Sequence, residues 1–345
     1  MDQGVYESHL KLNLLAAQLR SRGQLELSDD FLALAEKWGT NVSSMVGNRL
    51  KGLSLMHTGE LALGLAHFDR ALGLYDPVEH APLAGRFGQD VRTAILSFRS
   101  LALWLLGYPD AAAADAARTL SHAREFGQVP TLTHALVITS LTFVLCGSSA
   151  EAMANLEEAA ALADEKGAMF WKAIGMANQG CALVLNGQMS SAVTMITSGL
   201  AAFRSTGSTL FTPWYLSNYA KAYLEIGQFE DARRCIDEAE LTVRTTKENW
   251  CEAEIHRIAG EITLGSPARD VAKTEAAFQR ALTIAQTQQA KSLELRAATS
   301  LARLLRDLGA RKKASEILVP VYSWFTEGFG TRDLQTARAL IDELY

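Results

Sequence analysis

Charged and aromatic side chains recur at helical spacing in the last third of the sequence, and their chemistry suits binding better than bond breaking. Arginine can hold a carboxylate or a phosphate through paired hydrogen bonds, and tryptophan and arginine are frequent interface anchors. The residues predicted to share one concave surface are Trp214, Asn218, Lys221, Glu254, Arg257, Glu261, Arg296 and Arg303. We predict that they line a groove for a ligand or a peptide. The alternative is that these charges pair with one another on a solvated surface.

The groove hypothesis has a mutational consequence. If Trp214 and Arg257 are accessible anchors, alanine at both positions should abolish partner binding and lower the melting temperature only slightly. The corresponding upstream positions are apolar, among them Val137, Leu141 and Val184. Polar inward positions are therefore expected mainly in the C-terminal repeats.

Recognisable catalytic and metal-binding motifs do not occur in the sequence. There is no G-x-x-x-x-G-K-[ST], G-x-S-x-G or H-E-x-x-H segment, so phosphate cradling, acyl transfer and zinc hydrolysis have no sequence support. His256 lies near Glu254 and Glu261 in the sequence, but a lone helical histidine is more often a surface or hydrogen-bonded structural residue. The four cysteines have no C-x-x-C spacing and are expected to be free thiols. We predict no enzyme, no catalytic residue, no cofactor and no metal site.

Composition limits the expected partners and compartment. The 345 residues carry a formal net charge of −5, with acidic and basic residues mixed along the chain, so a nucleic-acid partner is not expected. The N-terminal residues Met1 to Gly4 do not resemble a secretory signal. The most apolar stretch, Ala135 to Cys146, is about a dozen residues long, whereas a membrane span needs roughly 20. We expect a cytoplasmic protein without membrane contact.

Glycines recur with a fixed spacing that indicates a structural repeat. One series has an interval of 40 residues and consists of Gly107, Gly147, Gly187 and Gly227. A second series lies halfway between them, at Gly127, Gly167 and Gly207. The intervening segments have apolar residues at i, i+3, i+4 and i+7, which is typical of amphipathic helices. Each unit therefore reads as two antiparallel helices, with glycine allowing the tight reversal.

The repeat predicts the fold class and the domain organisation. We predict an all-α protein: a right-handed superhelical solenoid of antiparallel helix hairpins of the tetratricopeptide type, with a repeat of about 40 residues. One such solenoid should span residues 1–345 and contain about eight hairpins, the first from Val5 to Trp38. Two departures are expected, an irregular loop at residues 75–90 and a single C-terminal capping helix at residues 331–344.

Five segments carry a pattern more specific than the repeat itself. They are YDP through GQD at residues 75–90, LALWLLGYPD at 101–110, AEIHR at 253–257, AKSLELRAA at 290–298 and WFTEGF at 324–329. In these segments the chain resembles the C-terminal repeat region of large bacterial signalling proteins that combine adenylate or guanylate cyclases with predicted ATPases of the STAND type. The resemblance implies that the repeats act as a sensor that controls domains upstream of them. This sequence has neither a cyclase domain nor a nucleotide-binding loop, so the resemblance implies neither activity here.

Two function classes follow from the sequence. The first is a non-catalytic protein-interaction or sensor module of a bacterial signalling protein, whose partner is a protein, a peptide or the upstream domains of the same polypeptide. The alternative is a small-molecule sensor that uses the concave groove of the C-terminal repeats. A deep, closed groove would favour a small ligand, and a wide one would favour a peptide or a helix. Residues 75–90 are predicted to be either a packed loop covering the join between two halves of the solenoid or a docking loop for upstream domains.

Overall fold

Every regular element of the described chain is helical. The computed structural model describes residues 24–345, and this span contains no strand. The long helices are α1 (Gln24–Trp38), α2 (Asn41–Thr58), α3 (Leu61–Gly73), α4 (Val91–Leu105), α5 (Pro109–Phe126), α6 (Val129–Leu145), α7 (Ser149–Lys166), α8 (Met169–Leu185), α9 (Met189–Ser205), α10 (Thr212–Glu225), α11 (Phe229–Thr246), α12 (Glu252–Gly265), α13 (Val271–Thr287), α14 (Lys291–Asp307), α15 (Arg311–Ser323) and α16 (Arg332–Leu344). The predicted all-helical solenoid is confirmed. The predicted first hairpin, Val5 to Trp38, lies partly outside the described residues.

The turns inside the hairpins repeat the same backbone hydrogen bonds. After α4 the amide of Gly107 donates to the carbonyl of Trp104 at 3.0 Å, and the amide of Tyr108 donates to the carbonyl of Leu103 at 2.9 Å. The equivalent pair of bonds recurs at Gly147, Gly187 and Gly227. This closure requires a positive φ at the second residue after the helix, and φ is 94° at Gly107. The glycine spacing of the sequence therefore corresponds to a repeated turn geometry.

Small residues let the two helices of each hairpin pack closely. Equivalent alanines on α5, α7, α9 and α11 are fully buried, at positions 112, 152, 192 and 232. In α8, a Cβ added at Gly180 would lie 2.2 Å from Cγ1 of Ile196 on α9. No larger side chain fits there without moving α9, which explains why a small residue occupies this place in the repeat.

The even-numbered helices form the inside of the solenoid, and we call them the inner helices; the odd-numbered ones are the outer helices. Each inner helix from α2 to α14 packs against the next inner helix. The most enclosed of them are α4, in which 13 of 15 residues are buried, and α6, in which 14 of 17 are buried. The inner helices thus contact one another along the whole described chain and fill most of the concave side.

The solenoid winds tightly enough for its later hairpins to touch its earlier ones. The amide of Asn249, just before α12, donates to the carbonyl of His57 in α2 at 2.8 Å. The hydroxyl of Ser292 in α14 donates to the carbonyl of Trp104 in α4 at 2.5 Å. Both contacts join inner helices that are five hairpins apart. These contacts narrow the concave side, which is consequently not a long open groove.

Residues 75–90 form a packed connection instead of an extended loop. Three short helical turns, Pro77–His80, Ala81–Leu83 and Ala84–Phe87, lead from α3 to α4. The buried carboxylate of Asp90 accepts hydrogen bonds from the Tyr75 hydroxyl at 2.8 Å and the Thr93 amide at 2.8 Å. Burial would raise the pKa of Asp90, but the hydrogen bonds it accepts outweigh burial and lower it. The stretch is therefore fixed to the beginning of α4, and its role in docking stays a prediction.

Candidate functional site

Six inner helices enclose a depression of about 230 Å³. All eight residues predicted to share a concave surface line it: Trp214, Asn218 and Lys221 on α10, Glu254, Arg257 and Glu261 on α12, and Arg296 and Arg303 on α14. The remaining lining residues are Val144, Leu145, Cys181, Val184, Leu185, Thr299, Ser300, Arg332, Asp333 and Thr336. The structure therefore brings the predicted residues together, in a depression closed on more sides than a groove.

The last helix completes the ring around the depression. Arg332, the first residue of α16, donates from Nη1 to the carbonyl of Leu185 at the end of α8, at 3.0 Å. Asp333 beside it accepts from Nε of Arg296 on α14 at 2.7 Å. Because α16 bridges two inner helices that are distant in sequence, it forms part of the site. The sequence suggested only a capping helix here; its one signal for a site was the Arg332–Asp333 charge pair at the helix start.

A buried ion-pair network fixes one side of the depression. Arg257 holds Glu254 through two hydrogen bonds, Nη2 to Oε1 at 2.7 Å and Nε to Oε2 at 2.8 Å. Nη1 of Arg257 also donates to Glu261. Glu254 and Arg257 are 6 % and 7 % exposed, respectively. Burial would raise the pKa of Glu254, but the charges of Arg257, Arg296 and Lys221 outweigh it and lower the pKa to about 2.

Arg296 belongs to the same network. Besides its bond to Asp333, its Nη1 lies 3.5 Å from Oε1 of Glu254. Its guanidinium lies 4.9 Å from the ring centroid of Trp104, a cation–π distance. Four of the eight predicted residues, Glu254, Arg257, Glu261 and Arg296, are thus paired with one another or with Asp333. For these four residues the geometry matches the alternative interpretation, in which the charges pair with one another.

Three cations of the depression have no carboxylate partner. Among the described residues, no carboxylate oxygen lies within 4.0 Å of the side-chain nitrogens of Lys221, Arg303 or Arg332; we call these residues the unpaired cations. Lys221 is half-buried at the end of α10. Burial lowers its pKa, and Arg257 and Arg296 lower it further, against the opposing charges of Glu261 and Glu254. The ammonium therefore lies in a site that lacks a compensating anion.

Trp214 is a core residue rather than an accessible anchor. It is 2 % exposed, and its ring lies 5.5 Å from that of Trp250, centroid to centroid. With Val144, Leu145, Cys181, Val184 and Leu185 it forms the apolar wall of the depression. The expectation that alanine at Trp214 and Arg257 leaves stability almost unchanged is corrected by this geometry, because both side chains are buried. Asn218 is half-buried and donates from Nδ2 to the carbonyl of Trp214 at 3.0 Å.

His256 lies outside the depression, in a separate charged cluster. Its Nδ1 is 3.6 Å from Glu240 and its Nε2 is 3.7 Å from Glu252, while Arg280 donates to Nε2 at 3.0 Å. Glu254 of the same helix lines the depression instead. Within residues 24–345 no group of three or more His, Cys, Asp or Glu side chains is arranged to hold a metal ion. No helix in the described part of the chain is long and apolar enough to cross a bilayer.

Comparison with known proteins gives structural likenesses only. No family model and no curated protein matches the chain. A Rap protein solved in complex with Competence and Sporulation Factor is similar over 100% of this chain and 89% of its own, with a TM-score of 0.65 and 12% sequence identity. The apo quorum sensor NprR from B. thuringiensis is similar over 92% of this chain and 86% of its own, with a TM-score of 0.54 and 14% identity.

A signal transduction ATPase with numerous domains from Pyrococcus horikoshii, which carries a tetratricopeptide repeat sensor, is also similar. The likeness covers 98% of this chain and 49% of that protein, with a TM-score of 0.47 and 13% identity, which is too low to support an argument. At these identities the likenesses concern the fold alone. This chain is an all-helical repeat protein with the solenoid fold of the tetratricopeptide and Rap-type proteins.

Proposed function

We propose that the chain is a non-catalytic sensor module that binds a peptide or an extended protein segment at the depression between its inner helices. The observation that carries the proposal is the group of unpaired cations around an otherwise ion-paired interior. An uncompensated charge is unfavourable where it is partly buried, as Lys221 is, whereas Arg303 and Arg332 are exposed to solvent at the rim. A bound partner that supplies the missing anion would remove this cost, so the site is suited to binding.

The side chains of the depression favour binding over catalysis. Cys181 is the thiol that lines it, and burial raises the pKa of this thiol, which disfavours the reactive thiolate. The carboxylates of Glu254, Glu261 and Asp333 are held by arginines. Such paired carboxylates are poor proton acceptors, since the neighbouring positive charge stabilises the ionised form. These features support a module without chemistry of its own.

The size of the depression suits one end of a partner. Its volume of about 230 Å³ is below the roughly 300–1,000 Å³ typical of pockets that enclose a whole ligand. One terminal residue or one side chain fits, and the rest of a peptide would lie along the rim. The Rap protein was solved with Competence and Sporulation Factor, and NprR is a quorum sensor; we propose a comparable sensing role for this chain. The sequence resemblance further suggests control of cyclase or ATPase domains in a bacterial signalling protein.

Peptide binding by two tryptophan variants, one inside the depression and one outside it, tests the proposal. Thr336 of α16 lines the depression, and Thr283 of α13 is exposed on an outer helix. Both hydroxyls donate to the carbonyl four residues earlier, so the two threonines are matched. Immobilised protein is incubated with a random-sequence peptide pool, and retained peptides are identified by mass spectrometry. We expect Thr336→Trp to abolish retention and Thr283→Trp to preserve it; equal retention by both variants would refute the proposal.

A small-molecule sensor is the second candidate, because inner helices surround the depression on several sides and an enclosed site favours a small ligand. A metabolite that fills the depression would stabilise the folded chain by RT ln(1 + [L]/Kd). A thermal-shift screen of anionic metabolites distinguishes the two candidates. Stabilisation by a metabolite, together with no peptide retained from the pool, would favour the small-molecule sensor.

A further inference from the structure

The segment between the last two helices fastens the end of the chain to a hairpin far away in the sequence. We call residues 324–331, between α15 and α16, the strap. The carboxylate of Glu327 accepts from the amide of Ala111 at 3.0 Å, and the amide of Gly328 donates to the carboxylate of Asp110 at 2.9 Å. The side chain of Tyr108, the N-cap residue of α5, accepts no hydrogen bond from this helix. Glu327 therefore satisfies an amide that α5 leaves open.

The strap lies as close to α5 as its backbone permits. Gly328 has a φ of 75°, and a Cβ added there would overlap the ring of Pro109, the first residue of α5. On the same turn of α5, the carbonyl of Pro109 accepts from the thiol of Cys146 at 3.6 Å. Cys146 follows α6 directly and is buried. The strap, the start of α5 and the end of α6 thus form one continuous contact.

The strap leads directly into the part of α16 that closes the depression. Arg332 is the first residue after it, and the bond from Arg332 to the carbonyl of Leu185 joins α16 to α8 at an exposed position. The apolar residues of α16, among them Leu334 and Leu340, pack instead in a core shared with α13, α14 and α15. This core is separate from that of the preceding helices. An apolar core therefore holds α16 to its own hairpin, whereas an exposed hydrogen bond holds it to α8.

These two kinds of contact differ in how readily they open. Exposed hydrogen bonds exchange with water at little cost, whereas a buried apolar core opens only at a large one. The edge between α16 and α8 should consequently part before the core of α13 to α16 does. Arg332 lines the depression, so a gap at this edge widens its mouth. The bonds of the strap to α5 then decide how often the gap forms.

We propose that the strap is a latch on the depression. While it is fastened to α5, the first turn of α16 stays against α8 and closes that side of the site. When Glu327 and Gly328 leave α5, the same side opens and a ligand enters or leaves. This inference rests on the proposed function, because it describes access to the same site.

The native cysteines report on the latch without any ligand. Cys146 lies beside the strap contact, and Cys235 lies on the outer helix α11. They are 9% and 8% exposed, and burial raises the pKa of each thiol to about 12. Cys235 is therefore a matched reference for Cys146. Cys181 lines the depression and reports on the site itself.

Alkylation by N-ethylmaleimide, followed for each cysteine by peptide mass spectrometry, measures the opening of the latch. Gly328→Ala should release the strap, because the new Cβ cannot share its place with the ring of Pro109. We expect Cys146 and Cys181 to react at least about tenfold faster than in the wild type. The rate at Cys235 should be unchanged.

Two alanine variants and one double variant control for effects other than the clash. Gly330→Ala lies in the same strap, at a place where an added Cβ would have no heavy atom within 4 Å. Gly127→Ala introduces the same positive-φ strain, again with no neighbour within 4 Å. Both should leave Cys146 as slow as in the wild type. Adding Pro109→Ala to Gly328→Ala removes the ring atoms that clash and should restore the slow rate.

Glu327→Ala releases the latch without introducing a clash. It removes the acceptor for the amide of Ala111, so Cys146 and Cys181 should react about fivefold faster. Glu316→Ala is the control, since the carboxylate of Glu316 is exposed on α15 and lies 3.9 Å from Lys312 of the same helix. It should leave both rates unchanged.

Three results would overturn the latch. Equal acceleration of Cys146, Cys181 and Cys235 in Gly328→Ala would show a general loosening of the fold. Faster reaction of Cys146 alone would show that the strap moves without opening the depression. Unchanged rates in both Gly328→Ala and Glu327→Ala would show that the strap closes nothing. Because the labelling uses no peptide, failure of the latch leaves a Thr336-dependent retention of peptides standing, and failure of that retention leaves the latch standing.

Discussion

Lys221 and Arg257 are two cations of the same depression with different surroundings. Arg257 is enclosed by Glu254 and Glu261, so its charge is compensated within the protein. Lys221 has no such partner among the described residues. A basic residue at an inner position therefore does not by itself indicate a binding residue. The distinction depends on which carboxylates the folded chain places beside it.

Truncating Trp214 should destabilise the fold, so a loss of binding in that variant would not identify a binding residue. Because the indole is 2 % exposed and packed against Trp250, we expect Trp214→Ala to lower the free energy of unfolding by about 3–5 kcal/mol. Urea denaturation followed by circular dichroism measures this loss. Phe329→Ala, at a residue that is 50% exposed, should change stability by less than about 1 kcal/mol. Equal losses in the two variants would contradict the assignment of Trp214 to the core.

Glu248 should make stability depend on pH. It is 6 % exposed and accepts hydrogen bonds from the Phe211 amide at 2.9 Å and from Nε1 of Trp250 at 2.8 Å. Burial raises its pKa from 4.5 to about 7, against the effect of those hydrogen bonds. The pKa of Glu248 is higher in the folded state than in the unfolded state. Protonated Glu248 therefore contributes its full stabilisation below pH 4.5, and this contribution is lost as the pH rises through 7.

Glu248→Gln removes this titration and keeps a side-chain acceptor. Between pH 4.5 and 7.5 the wild type should lose up to about 3 kcal/mol of stability relative to the variant. Tyr215 and Cys251 do not titrate in this range, because burial raises the pKa of each well above its usual value. The measurement is urea denaturation of both proteins across the range. Parallel stability curves would show that Glu248 does not titrate as described.

At the scale of elements, two turn glycines differ in what they touch. Gly107 and Gly127 both have positive φ, 94° and 73°. A Cβ at Gly107 would lie 2.6 Å from the ring of Trp324 and 2.7 Å from Cβ of Lys291, both of which belong to later hairpins. A Cβ at Gly127 would have no heavy atom within 4 Å. The first glycine therefore serves both the turn and a contact between successive windings of the solenoid.

Alanine at these two positions separates the two roles. Gly127→Ala should cost about 1 kcal/mol from backbone strain alone. Gly107→Ala should cost more and should speed amide hydrogen exchange in α14 and α16, because the contact with Trp324 and Lys291 must open. Denaturant unfolding and exchange mass spectrometry measure both effects. Similar stability and similar exchange in the two variants would refute a winding contact at Gly107.

The helical hairpins were predictable from the sequence because they depend on local chemistry. Glycine at a fixed interval gives the turn, and alanine at an equivalent position gives the close approach. The contact between Ser292 and Trp104 was not predictable, since it joins residues 188 apart and depends on how tightly the hairpins wind. The predicted site residues do share one depression. The pairing of Arg257 with Glu254 and Glu261 follows the i,i+3 and i,i+4 spacing of one helix and was open to prediction as the alternative of mutual ion pairing. The pairing of Arg296 was not predictable, because its partner Asp333 comes from a helix that reads only as a cap.

At the scale of the whole molecule, the winding converts an open concave surface into a ring. Arg332 bonds the end of α8 and Asp333 bonds α14, so the last helix closes the depression. The strap before it is fixed to the first turn of α5, where Glu327 accepts from the amide of Ala111 at 3.0 Å. A ligand in the depression would therefore lie beside residues that also join distant hairpins. A sensor could transmit binding through these contacts to domains joined to it.

Photo-crosslinking of bound peptides tests the central claim most directly. A random peptide pool that carries a photoreactive phenylalanine derivative is incubated with the protein, irradiated and digested, and the crosslinked residues are identified by mass spectrometry. The account predicts crosslinks on the inner helices α10, α12, α14 and α16 around the depression, and their loss in Thr336→Trp. Crosslinks confined to the outer helices, or unaffected by Thr336→Trp, would contradict it.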